Sequence, residues 1–153
     1  MMSLKSLKAR EDDLSSPQRQ LELLSEGIFE EGELPTFKDK IAESGHFPLK
    51  PKKLEILQLN LGYMCNQVCS HCHVDAGPDR KEIMTKETML LCLEVIKNTG
   101  AHTLDLTGGA PEMNPNFRWF VEEASKAGIK DFIVRSNLTI ILANKKFHDL
   151  PNF

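Results

Sequence analysis

The sequence has no apolar run approaching the ~18 residues that a membrane-spanning helix requires, so no membrane partner is expected. It has no strong charge of either sign. Lys plus Arg is 19 and Asp plus Glu is 22, which leaves −3 and gives a nucleic acid no electrostatic footprint. The first residues, Met1, Met2, Ser3, Leu4 and Lys5, lack the apolar stretch of a secretory signal. Arg10, Glu11, Asp12 and Asp13 follow, and the acids argue against an organelle transit peptide. A cytoplasmic, reducing setting is therefore expected. No internal repeat and no low-complexity tract is found. Hydrophobic residues at 41% and charged residues at 27% of 153 fit one ordinary globular domain.

What is present is concentrated. Of four cysteines, Cys65, Cys69 and Cys72 fall within eight residues, and Cys92 stands apart. A disulfide scaffold spreads its cysteines to staple distant loops, whereas a tight cluster points to metal or redox chemistry.

Two regions are expected. Residues 1–50 are polar and broken by Pro17, Gly27, Gly32, Pro35, Gly45 and Pro48, and read as a loosely ordered extension. One short helix after Ser16-Pro17 is expected in it, carrying Leu21, Leu23 and Leu24. A partner-binding or lid role is the alternative. Residues 51–153 have a different grammar. Strands are expected over 54–60, 103–107 and 132–135. Thr85 caps a helix to about Asn98, with Met89, Leu90, Leu93, Val95 and Ile96 apolar and Gly100 as its stop. Asn114-Pro115 opens another, carrying Phe117, Phe120, Val121 and Ala124 and ending at Gly128. Strands alternating with helical crossovers predict a parallel α/β sheet. Three strands are too few for a closed barrel. Residues 140–153 show no further unit, so a truncated domain is expected.

The strongest chemical signal is Cys65-Asn66-Gln67-Val68-Cys69-Ser70-His71-Cys72, a C-x3-C-x2-C loop after the first strand. Ligands sit at that end of α/β sheets. A four-iron cluster has four corners, and thiolates normally fill them all. Three thiolates leave one iron open to chelate the amino and carboxylate groups of a small molecule such as S-adenosylmethionine (SAM). A zinc site using these thiols with His71 or His73 is the competing reading, although zinc motifs more often pair two C-x2-C units. After the second strand comes Thr107-Gly108-Gly109-Ala110-Pro111-Glu112. Its glycines permit close backbone approach to a ligand, or form a plain tight turn. Ser136-Asn137 after the third strand suits ribose or carboxylate contacts, and equally a turn or helix cap. Cys92 reads as an inert helix thiol. Tyr63 reads as a packing residue of the loop or a substrate contact. His73 and Asp75 support the cluster or are loop polars. Trp119 packs on a helix face, and His102 and His148 have no context.

Taken together, the cysteine loop and the Gly-Gly segment resemble the radical SAM superfamily. The resemblance implies a partial (β/α) barrel made of the first three βα units. It implies a [4Fe-4S] cluster on Cys65, Cys69 and Cys72, with Gly108, Gly109 and Asn137 holding SAM and His71 packed near the adenine. Ala110 stands where that family usually has an acid, and Glu112 follows two residues later. The run His71-Cys72-His73-Val74-Asp75-Ala76-Gly77-Pro78, with residues 104–115 and Asn137-Leu138-Thr139, resembles the arsenosugar-biosynthesis radical SAM proteins. This finer resemblance covers about residues 36–142. It implies transfer of a 5′-deoxyadenosyl group to a trivalent dimethylated arsenical, with flavodoxin or ferredoxin as electron donor. A radical SAM enzyme acting on a peptide or other small metabolite, and a zinc-binding interaction module, are the alternatives.

Overall fold

The computed structural model describes residues 5–26 and 35–153. Met1, Met2, Ser3, Leu4, Gly27 and Gly32, which figure in the reading of the N-terminal extension, lie outside the described residues. In chain order the elements are α1 (Pro17–Glu26), α2 (Phe37–Glu43), β1 (Ile56–Asn60), α3 (Lys86–Thr99), β2 (Thr103–Thr107), α4 (Phe117–Lys126), β3 (Asp131–Val134) and α5 (Thr139–Ala143). Single 3-10 turns precede α1, lie between β2 and α4, and follow α5.

The three strands form one parallel sheet in the order β1-β2-β3. Register pairs Gln58 with Asp105 and Asn60 with Thr107, then Leu106 with Val134. Two crossover helices between parallel strands make this an α/β fold, consistent with part of a radical SAM-type β/α unit. Successive residues of a strand face opposite sides. Leu57, Leu59, Leu104, Leu106 and Phe132 therefore turn toward α3 and α4, where Leu104 and Leu106 are fully buried. Burying each such side chain contributes roughly 1.5–3 kcal/mol, which makes this the region that holds the sheet. The alternate set, Gln58, Asn60, Asp105 and Thr107, turns to the face that the helices leave open.

α3 matches its sequence signals. The Thr85 hydroxyl accepts from the Thr88 N–H, and Gly100 closes the helix at φ 69° with its N–H on the Ile96 carbonyl. Only Met89, Leu93 and Ile96 are buried. Leu90 and Val95, expected to be apolar contacts, are exposed, because at 100° per residue they fall off the 89/93/96 stripe.

α4 begins at Phe117 rather than at Asn114-Pro115. Buried Asn114 ties the chain down instead. Its amide donates to the Leu61 and Met84 carbonyls, 3.0 Å each, and its oxygen accepts from Asn116 N–H. Phe117, Phe120 and Ala124 then face the core as expected. The last residues are not featureless: α5 buries Ile140, and short turns follow over Lys145–Phe147 and Leu150–Asn152. α1 lies where Pro17 predicts it. α2 was not anticipated; Thr36 caps it by accepting from Asp39 N–H.

Candidate functional site

The cysteine loop is closed on itself. Leaving β1, Leu61 N–H donates to the Thr107 carbonyl, and returning Met84 N–H donates to the Leu61 carbonyl. Between them Tyr63 N–H donates to Glu82, Gly77 N–H to Tyr63 and Cys65 N–H to Gly77. Entry and exit thus brace each other, and the thiols hang from the enclosed arc. Cys65 is buried, Cys72 half-buried and Cys69 exposed, and none is in a disulfide. Two sulfurs already accept N–H donors. Asn137 Nδ2 lies 3.4 Å from Cys65 Sγ, and Ala76 N lies 3.3 Å from Cys72 Sγ.

These donors suit thiolates bound to iron, whose charge such N–H groups offset. Among the described residues no three Cys, His, Asp or Glu side chains converge on a point that could hold one ion. Three soft thiols on one braced arc, two of them with N–H partners, fit the cluster.

The end of β2 lies directly beneath this loop. Gly109 N–H donates to the Gly62 carbonyl and Ala110 N–H to the Met64 carbonyl, both at 2.9 Å. A Cβ on Gly108 would come within 2.5 Å of the Gly62 carbonyl oxygen, and one on Gly109 within 2.5 Å of that of Met64. Only glycine permits this approach. Asn137 completes the cluster of elements: it also donates to Asn66 Oδ1 and accepts from Thr139 N–H, each at 2.9 Å. The ends of all three strands therefore meet at Cys65. The structure brings together Cys65, Gly108, Gly109 and Asn137. His71 is exposed on the loop beside Cys72, with no hydrogen bond to those residues.

Several contacts escaped the sequence reading. Residues 6–8 lie on the outer side of the loop. Ser6, 1% exposed, donates to Asp79, and the Leu7 and Lys8 N–H groups donate to Asp75 at 2.6 and 3.1 Å. Asp75 also pairs with buried Arg80, which reaches Glu82 and stacks 4.7 Å from the Tyr63 ring. Tyr63 is thus a packing residue. Hydrogen bonds from Lys8 and Arg80 pull the Glu82 carboxyl down to about 2. On the open sheet face, Arg135 and Gln58 both bond Asp105, and the Arg135 guanidinium holds the Asp105 carboxyl below its ordinary range despite burial. The available signal was a charge between two leucines in Leu104-Asp105-Leu106.

Glu112 is buried, and its Oε2 has no hydrogen-bond partner among the described residues. Cys92 is half-buried against the core, and that burial raises its thiol pKa. Trp119 lies beneath Lys86 Nζ, 4.3 Å from the ring centre.

No helix among the described residues is long and apolar enough to cross a membrane. No family model matches the chain. Over 86 residues, 56% of the chain, it is 31% identical to a protein named as a probable GTP 3′,8-cyclase from Saccharolobus islandicus (strain M.14.25 / Kamchatka #1). Similarly named proteins of Saccharolobus solfataricus and Sulfolobus acidocaldarius are 28% and 26% identical over the same length. The matched stretch spans 28% of each relative. This likeness supports the radical SAM superfamily for the chain, and does not reach the arsenosugar family.

Proposed function

We propose that this chain carries the cluster-binding part of a radical SAM enzyme. The observation that supports it best is the meeting of three strand ends at Cys65, with the Asn137 amide on its sulfur and the Gly108–Gly109 backbone beneath the loop. Cys65, Cys69 and Cys72 would hold a [4Fe-4S] cluster. When bound and reduced, that cluster supplies the electron that cleaves SAM to a 5′-deoxyadenosyl radical.

The chain's own residues prepare the place. The braced loop fixes Cys65 and Cys72 and leaves Cys69 toward solvent. Asn137 and the Ala76 N–H offset thiolate charge. The Gly108 and Gly109 carbonyls would accept from the SAM amino group. A low-potential donor such as flavodoxin or ferredoxin would deliver the electron.

For the acceptor, the His71 to Pro78 run supports a trivalent dimethylated arsenical receiving the adenosyl group. A second reading, another small metabolite, is favoured by the polar open face of the sheet and by relatives named as GTP cyclases. Anaerobic reconstitution with iron and sulfide should give a brown protein that releases 5′-deoxyadenosine from SAM under reductant. Undiminished release by the Cys65→Ala/Cys69→Ala/Cys72→Ala variant would refute the assignment. Zinc without iron or sulfide in anaerobically purified protein would favour an interaction module. Product analysis with and without dimethylarsenite separates the two acceptors.

A further inference from the structure

We propose that Arg135, held on the open face of the sheet by Asp105, whose carboxylate Gln58 also bonds, receives the carboxylate or phosphate of the acceptor substrate. This deepens the second acceptor reading and rests on it, since a neutral trivalent arsenical carries no oxyanion.

A parallel sheet is ordinarily apolar on both faces, because helices cover both. Here the helix-facing side is apolar, while the other side carries Gln58, Asn60, Asp105, Thr107 and Arg135 beside the exposed Ile56 and Ile133. Asp105 has a side chain only 5% exposed, yet it sits in the central strand of that open face. Both of its oxygens are engaged. Arg135 Nε and Nη2 each reach one at 2.9 Å, and Gln58 Nε2 donates at 2.7 Å. Asp105 therefore acts as an orienting group for Arg135. Arg135 is the exposed member, its side chain 60% accessible. Only one edge of its guanidinium is used. The outer N–H groups have no partner among the described residues, and an arginine fork with one edge fixed is preorganised for bidentate oxyanion binding.

Depth on the sheet selects the source of the oxyanion. Register places the Arg135 backbone level with Thr107, at the rim where the cysteine loop and Gly108 lie. Its side chain turns back to Asp105, two residues or ~6–7 Å lower. A cofactor held by the cysteine loop would lie at the rim, beside Gly108. The fork serves what lies beneath it. An ion pair of this kind adds little net stability, so packing alone does not account for it.

Titration of the full, cluster-free chain with inorganic phosphate, read by backbone amide shifts, tests this. Saturable shifts are expected at Thr107, Arg135 and Ser136. Arg135→Gln should weaken binding about tenfold or more, given the worth of a charged hydrogen bond. Asp105→Asn/Arg135→Gln leaves no unpaired buried carboxylate, so it keeps the fold and should show the same loss. Unchanged phosphate affinity in both variants overturns the proposal. In the reconstituted protein, where SAM has its iron to chelate, SAM should leave phosphate affinity unchanged. Displacement by SAM but not by decarboxylated SAM assigns the fork to the SAM carboxylate and equally overturns it. Failure to take up iron and sulfide would sink the radical SAM reading while leaving the phosphate result to stand alone.

Discussion

Gly108 and Gly109 at the junction of β2 and the cysteine loop, compared with Gly100 at the end of α3, separate strain from collision. Gly100 has φ 69° and open space around its missing Cβ, so Gly100→Ala meets only the left-handed penalty. That is about 1–2 kcal/mol, offset by about 0.4–1 kcal/mol from the stiffer unfolded chain, for a net loss near 1 kcal/mol. The structure records no positive φ for Gly109, but its Cβ would meet the Met64 oxygen at 2.5 Å and the Ala76 Cβ at 3.0 Å. Gly109→Ala is expected to cost about 1–3 kcal/mol as overpacking. Gly108 combines both, with φ 141° and the Gly62 oxygen at 2.5 Å. Strain of roughly 1–3 kcal/mol and collision of similar size give a net loss of about 2–5 kcal/mol for Gly108→Ala. With a urea slope of about 1–3 kcal/mol/M, a loss of ~3 kcal/mol moves the midpoint by ~1–3 M. The colliding atoms belong to the strip that carries Cys65. Iron and sulfide uptake should therefore fall in Gly108→Ala and Gly109→Ala and hold in Gly100→Ala. A Gly108→Ala protein as stable as Gly100→Ala, with full cluster content, would refute the idea that close backbone approach positions the cysteine loop.

Asp75 has φ 49°, a conformation that asparagine also tolerates, so Asp75→Asn removes charge without backbone strain. It weakens the bonds to Leu7, Lys8 and Arg80 and should cost about 2–4 kcal/mol, with faster amide exchange at Leu7; unchanged exchange would show that residues 6–8 are held by something else. Glu82 has a folded pKa of about 2, depressed by Lys8 and Arg80. A depressed carboxylate stabilises above its unfolded pKa and stops doing so as pH falls through its folded value. Stability should therefore decline between about pH 4.5 and 2, more shallowly in Glu82→Gln, and identical acid profiles for the two proteins would count against the Lys8–Glu82–Arg80 cluster. Asn137→Ala removes the cap on Thr139 N–H and the donor to Cys65 Sγ. It is expected to cost about 1–2 kcal/mol and to reduce iron retained after desalting; full retention would leave Asn137 with a capping role alone.

The sheet and its two crossover helices were legible because each rests on local signals. Thr85 and Gly100 bracket α3, and the apolar residues of 54–60 and 103–107 alternate or cluster where the strands lie. The cysteine spacing and the glycines after β2 were legible for the same reason, since each motif is contiguous. What was missed joins residues far apart. Ser6 meets Asp79 across 73 positions, and Arg135 meets Asp105 across 30. Nothing in the polar run of residues 1–15 marks Ser6 for burial, because its partner is a carboxylate brought there by the closure of a different loop. Asn114 misled in the same way. Before Pro115 it reads as a helix opener, yet its amide is taken by two carbonyls of the cysteine loop's own stem.

The two faces of the sheet answer to different demands. Toward α3 and α4, Leu104 and Leu106 are fully buried, and any polar substitution there would leave an unpaired group in the core. One residue along the same strand, Asp105 is buried as a charge, which is tolerable only because Arg135 and Gln58 arrive from the strands on either side. Removing Arg135 alone would strand that carboxylate, whereas removing Asp105 alone would free an exposed guanidinium that water can solvate. The pair is therefore asymmetric. Asp105 depends on Arg135 for its burial, while Arg135 depends on Asp105 only for its direction. Direction matters to a residue that must meet something, and the open face beneath the cysteine loop is where that meeting would occur.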